Sequence, residues 1–375
     1  MIRGILSGTR RRINKMYKLK IMRYLLLCLT LLLAVGTPVS ANESEGVDVK
    51  EIVLGHLSDA YEWHITTVGG HHISIPLPVI VRSEATGEWH AFCSSRIEEA
   101  MEEGKADYMG FYFNEEKNGK IYERLSDGTS VRPWDISITK SVVQIWIVVA
   151  IMLAIFLGCA SWYKKHDATK DVPKGFVGMV EMLVMTIHDD LIKDSIGEKH
   201  YRPYAPYLLT VFFFILITNM LGLLPIFPGG ANVTGNINIT FFLALCTMLA
   251  VNLFGNKEYW KEIFWPDVPA FLKAYPVAIM PIIEFFGIIT KPFALMVRLF
   301  ANMMAGHAII LSFTAIIFIG WSLNAYLGSG LTLLSFVMIL FMNCLEFLVA
   351  FIQAYVFTML SAVFIGLAHP EHHHE

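Results

Sequence analysis

Two apolar tracts close the chain, over about residues 276–321 and 331–368, and each is longer than one upright bilayer helix needs. At 1.5 Å per residue, a helix of about 40 residues is roughly 60 Å long. The hydrocarbon core of a bilayer is only about 30 Å thick. These tracts must therefore tilt strongly, bend or break, with "SLNAYLGSG" as the turn between them. Three shorter apolar spans precede them, at about 140–161, 204–227 and 238–255. Composition agrees: 55% of the 375 residues are hydrophobic and 16% charged, against about 25% charged in soluble domains. The expected fold is an all-α polytopic membrane protein whose last two helices form a long, strongly tilted hairpin. A net charge of -3 gives no electrostatic case for nucleic acid.

The chain before residue 139 is different. Residues 1–41 carry a basic stretch, a short apolar core from Tyr24 to Val35, and small residues at "VSA". That pattern reads as a cleaved signal, with an uncleaved anchor as the alternative. Residues 42–138 are polar and mixed, and read as a small extension outside the inner membrane. Within it, "HISIPLPVIV" and "GFYFN" read as short strands. His56, His64, His71, His72 and His90 fall in this region without metal-site spacing, so solvated or structural roles are expected. The five cysteines have no CxxC spacing. Lys164, Lys165, Lys170 and Lys174 follow the first span and place its end on the cytoplasmic side. Residues 175–200 read as an amphipathic surface segment. The chain divides into a leader (1–41), an extension (42–138), a membrane domain (139–368) and a cytoplasmic tail (369–375), where "HPEHHHE" is expected to be solvated.

The first long tract carries Glu284, Lys291 and Arg298 at intervals of seven, which places them on one helix face. Asn302 continues that face, and His307 points roughly opposite. On the last tract Glu346 and Gln353 again stand seven apart, and Asn219 lies in the second of the shorter spans. An ionised group at a bilayer centre costs about 2.5–3.5 kcal/mol on insertion scales, so these groups should face water, a partner or one another. Pairing of Glu284 with Lys291 as simple helix–helix glue remains open, and Lys291, just before Pro292, suits a helix bend as well as a path. Arg298 has no carboxylate neighbour within two turns of its own helix. It stays protonated at any accessible pH, so it serves as a fixed charge and not as a shuttle. Glutamate and histidine can shuttle protons.

These motifs resemble the a subunit of the rotary F-type ATP synthase, the membrane stator protein of the Fo motor, over about residues 135–368. "KPFALMVRLFANMMAGH" carries the family's essential arginine at Arg298 and its asparagine at Asn302. "TNMLGLLP" (218–225) and "FIQAYVFTML" (351–360) resemble two further family segments, the second with its glutamine at Gln353. The family also keeps a carboxylate and a histidine on the two last helices, here His307 and Glu346, and places Glu284 in an ion-access channel. The resemblance implies two aqueous half-channels that end at a rotating ring of c subunits, with Arg298 between them. The implied partners are that ring, the b stalk and the F1 head. The transported ion is H+, with Na+ the alternative. No cofactor or metal is implied. The chain has no GxxxxGK[ST] loop, so ATP chemistry is expected in a partner. A secondary transporter and a pure membrane scaffold are the competing readings, but no repeat of 140–255 is found in 276–368. The extension is the departure from the family. It reads as dispensable for the ion path, or as a support or gate at the outer channel mouth.

Overall fold

The computed structural model describes residues 59–68, 71–114, 119–125, 127–166, 171–224, 229–265 and 279–369. The expected leader, His56 and residues 370–375 lie outside these. The N-terminal part is built from short strands. β1 (Glu62–Val68) and β2 (His71–Pro76) form an antiparallel hairpin. β3 (Pro78–Arg82) pairs with β4 (Trp89–Cys93), which runs into helix α1 (Ser95–Glu102). β5 (Phe111–Asn114), β6 (Lys120–Arg124) and β7 (Ser130–Val131) form a third sheet, and β8 (Trp134–Asp135) returns to β3. The first stretch read as strand from sequence spans β2 and β3, which break at Leu77 and join different sheets, and the second is β5. Alternation explains β3: Val79 and Val81 point into a core with Tyr61, Ile97, Phe111 and Ile121, while Pro78 and Arg82 stay exposed. The Tyr61 hydroxyl donates to the Asp135 carboxylate, and burial with that bond pushes the phenol well above its ordinary range.

Among the described residues, five helices are long and apolar enough to cross a membrane. They are α2 (Lys140–Lys165), α4 (Tyr201–Gly222), α5 (Ile237–Phe254), α7 (Ile279–Leu323) and α8 (Ala325–Leu367). Between α2 and α4, α3 (Phe176–Met185) continues through a π-helical turn at Thr186–Lys193. This segment buries Ile187, Leu191, Ile192 and Ile196 and exposes Asp189, Asp190 and Asp194. It is amphipathic as expected, and its apolar side joins the bundle core. α4 is the central span, with Leu208, Phe212 and Ile215 fully buried. Its partners include the edge of α2, where Phe156 meets Phe213 at 5.0 Å, and α5 and α8, through the Tyr207, Thr247 and Ser361 hydroxyls. α6 (Lys257–Phe264) begins where Asn256 N–H donates to the Ala368 carbonyl, at the end of α8.

α7 and α8 have 45 and 43 residues. The expected nine-residue turn between them is not a loop. Asn324 alone stands between the helices, and its side chain accepts the Tyr326 N–H. The glycines that suggest a loop serve close packing: a Cβ at Gly328 would lie 2.9 Å from the Trp321 ring. Pro292 leaves the Ile288 carbonyl without its helical donor, yet α7 continues through it. Contacts at Trp321–Thr332, Gly306–Glu346, Asn302–Gln353 and Lys291–Phe364 show one antiparallel register along the hairpin. From His307, beside the end of α4, α7 runs on to Leu323, roughly 24 Å further. The tip of the hairpin beyond this point carries exposed apolar side chains, among them Phe318, Leu323 and Leu333.

The base of the hairpin is tightly seated. His369, expected to be solvated, is buried, because Tyr204 and His200 pack against its ring and its Nε2 lies 3.2 Å from the Tyr204 hydroxyl. A Cβ at Gly366 would lie 2.2 Å from the Ser195 carbonyl oxygen. That obstacle is backbone and cannot rotate away. Gly366→Ala is expected to destabilise the fold by about 1–3 kcal/mol. Thermal unfolding in detergent should show a lowered midpoint, and an unchanged midpoint would contradict this packing.

Candidate functional site

Arg298 lies nearly two helical turns after Pro292 on the exposed side of α7, among exposed Phe293, Ala294, Val297 and Ala301. Among the described residues, nothing forms a hydrogen bond or ion pair with its side chain. One turn on, Asn302 Nδ2 donates to Gln353 Oε1 at 2.7 Å and locks α7 to α8 beside it. The seven-residue spacing places Glu284 and Lys291 on the Arg298 face, but they do not pair within ion-pair distance. Both approach Gly287, whose missing side chain leaves room for the Lys291 stem and the Glu284 carboxylate. Lys291 Nζ sits over the Phe364 ring at 5.9 Å and lines a small cleft with Asn252, Tyr259 and Thr247. Burial, and then the nearby Glu284 charge, push the Tyr259 phenol up. Tyr259 also donates to Asn252 Oδ1 at 3.2 Å. Glue between Glu284 and Lys291 is thus replaced by a shared polar end of α7.

His307 faces the other way, toward α4 and α8. Its Nδ1 is 3.1 Å from the Met303 carbonyl and its Nε2 is 3.3 Å from the Gly222 carbonyl. A neutral imidazole has one N–H and can donate to only one of them, whereas an imidazolium donates to both. Glu346 Oε1 stands 3.7 Å from His307 Nδ1, too far for a hydrogen bond but close for charge. Neither Glu346 oxygen has a hydrogen-bond partner among the described residues, although both are buried. Glu346 reaches this position because residue 306 is glycine: a Cβ there would overlap Oε1 at 2.0 Å.

Asn219 belongs to the same polar zone. Its Oδ1 accepts the Thr234 hydroxyl at 2.7 Å, while its Nδ2 is buried without a partner among the described residues. Gln353 Nε2, Thr218 Oγ1, Thr358 Oγ1 and Gln144 Nε2 share that condition. Sequence reasoning missed Gln144, Thr218, Thr234 and Thr358. Gln144 lies in the first span, where a polar residue among apolar ones is a legible signal. Its Oε1 accepts the Ala231 N–H at 2.9 Å.

The arrangement offers two distinct polar regions along α7. One gathers His307, Glu346, Asn219 and Gln144 around the end of α4. The other gathers Glu284, Tyr259 and Lys291 toward the base. Arg298 lies between them in sequence and along the helix.

Two family models match the chain. Residues 142–366 match the model described as ATP synthase A chain. Residues 52–136 match one described as a domain of unknown function, DUF8433. The chain is 47% identical over 246 residues to ATP synthase subunit a of Chlorobium phaeobacteroides (strain DSM 266), covering 64% of this chain and 68% of that one. It is 46% identical to ATP synthase subunit a of Pelodictyon phaeoclathratiforme over 246 residues, with the same coverage of both chains. With ATP synthase subunit a of Myxococcus xanthus it shares 38% identity over 260 residues, 69% of this chain and 80% of that one.

Proposed function

Because the chain belongs to the ATP synthase A chain family, we propose that it is the bacterial Fo stator subunit that carries protons to and from a rotating c ring. Two half-channels serve that ring from opposite sides. His307, Glu346, Asn219 and Gln353 line or border the outer one, and Glu284 and Lys291 the inner one. Arg298 stands between them, meets the ionised ring carboxylate, and prevents a direct leak. The observation that carries this reading is the exposed Arg298, without a partner among the described residues, in an apolar helix face beside the Asn302–Gln353 clamp. A permanent cation facing lipid is costly, so it calls for an anionic partner from outside the chain. The buried polar atoms around Glu346 need partners too, and water or a moving proton supplies them.

Each charge that passes down a potential of 100 mV releases about 2.3 kcal/mol, and a short circuit through the stator would dissipate it. The b stalk and the F1 head complete the complex, and ATP chemistry belongs to the head. In the bacterial inner membrane, residues 42–138 lie on the periplasmic side after removal of the 1–41 leader, residues 139–368 form the membrane domain, and 369–375 face the cytoplasm. Sodium is the second candidate ion, a choice set largely by the ring. Purification of the complex in mild detergent through a tag on this chain tests the assignment. A ring protein and head subunits should co-purify. Recovery of the chain alone, active in solute transport, would refute it in favour of a secondary transporter.

A further inference from the structure

The start of α2 is held by a residue far upstream. Thr139 occupies the N-cap position, but its side chain makes no capping bond. The carboxylate Oδ1 of Asp59 accepts the Ser141 N–H at 3.1 Å instead, and the Ala60 carbonyl accepts the Lys140 N–H at 3.0 Å. Two of the orphan donors at the head of a membrane helix are thus satisfied by the β-domain. The carboxylate also meets the positive end of the helix dipole. The connection has no slack. After β8, Ile136 and Ile138 N–H donate to the Ile80 and Pro78 carbonyls, so the chain stays paired to β3 until it enters α2. Lys120 Nζ donates to the Asp59 carbonyl at 3.1 Å and fixes the other side.

The first turn of α2 then leads into the outer polar zone. Lys140 is within electrostatic range of the Asp59 and Glu62 carboxylates on one side and of the His307 ring on the other. Gln144, one turn on, holds the Ala231 N–H. The Ala231 carbonyl packs beside Gly222, whose own carbonyl lies 3.3 Å from His307 Nε2. A short series of contacts therefore runs from Asp59 and Ser141 through the first turn of α2 to Gln144, Ala231, Gly222 and His307, with Glu346 beyond it.

We propose that the β-domain is a working part of the outer half-channel: Asp59 clamps the first turn of α2, and that turn positions Lys140 and Gln144 at the mouth leading to His307. Asp59, Lys140 and Gln144 are positioning residues. The proposal rests on the half-channel reading above and opposes a dispensable extension. The groups that share the mouth are Asp59, Glu62, Lys120, Lys140, His307 and Glu346. Loss of the Asp59 charge removes an anion from this set, so protons must enter against a more positive mouth.

The test uses the whole synthase in proteoliposomes with ADP and phosphate supplied, so that proton flux driven by a potassium potential runs through the coupled motor while the outer-side pH is varied. Rates are normalised to assembled complex. Asp59→Ala removes both cap and charge, and is expected to slow flux roughly five-fold, the equilibrium weight of one lost helix cap. Asp59→Asn keeps an acceptor oxygen for Ser141 but not the charge, and should move the outer pH profile to lower pH with a smaller loss of rate. Gln144→Leu should slow flux and show non-additivity with Asp59→Ala. A lowered yield of complex with wild-type rate and pH profile per complex would overturn the proposal, since support of the fold alone predicts that. If Asp59→Ala yields no complex, Asp59→Asn decides, and an unmoved pH profile there overturns the proposal. Arg298→Ala, run alongside, separates the two readings. Wild-type ATP-driven pumping by Arg298→Ala sinks the half-channel reading itself. Failure of Arg298→Ala with wild-type behaviour of the Asp59 and Gln144 variants sinks only the role of the β-domain.

Discussion

Arg298→Ala is expected to abolish ATP-driven proton pumping, to below detection in inverted vesicles, while the complex still assembles. The side chain makes no bond to any described residue, so its removal orphans no partner among them. Its neighbours Leu295 and Leu299 hold the helix in the core, and the Asn302–Gln353 clamp survives. Stability should therefore change little, whereas the fixed charge presented to the ring is lost. Arg298→Lys should also fail in large part. Lysine keeps a charge but loses the planar fork that matches a carboxylate, and a desolvated ammonium gives up its proton far more readily than guanidinium. Pumping rates per assembled complex check this, and wild-type rates in either variant would contradict it.

The second large effect concerns His307 and Glu346. Each single exchange, His307→Glu or Glu346→His, places two like groups side by side in a buried site, and should slow pumping severely without preventing assembly. The double exchange restores one imidazole and one carboxyl. Direct coupling between neighbours of this kind is worth about 0.5–3 kcal/mol, so the double form should exceed the product of the single effects by several-fold or more. The geometry adds a condition. Glu346 fits against Gly306, and the imidazole in the exchanged form must use the same space. Activities of all four forms, normalised to complex, make the measurement. Strictly multiplicative losses would mean that the 3.7 Å approach is only a static contact between two helices.

Much of the membrane fold is legible in the residues. The apolar runs mark all five long helices, and the excess length of the last two already demands a tilted hairpin. The spacing of Glu346 and Gln353 on α8 also survives: both are buried toward α7. What periodicity does not reveal is which backbone atom a polar side chain will meet. His307 finds the Gly222 carbonyl, and Gln144 the Ala231 N–H, because the end of α4 and the segment before α5 happen to lie there. Those contacts depend on the packing of three helices and not on any local pattern. The tip of the hairpin misleads for a related reason. "LGSG" has loop composition, but Gly328 is required by the Trp321 ring, a tertiary demand that looks like a turn signal in one dimension. Asp59 is invisible for the same cause: the helix N–H that it caps, on Ser141, lies 82 residues later.

The half-channel assignment makes Arg298 a separator and not a conductor. Passive proton flux through complexes stripped of their heads therefore tests it most directly, measured beside ATP-driven pumping in the same Arg298→Ala preparation. The two activities should come apart, with passive flux persisting under an imposed potential while ATP no longer drives protons. Loss of both in equal measure, or wild-type pumping, would contradict a stator charge that holds two half-channels apart.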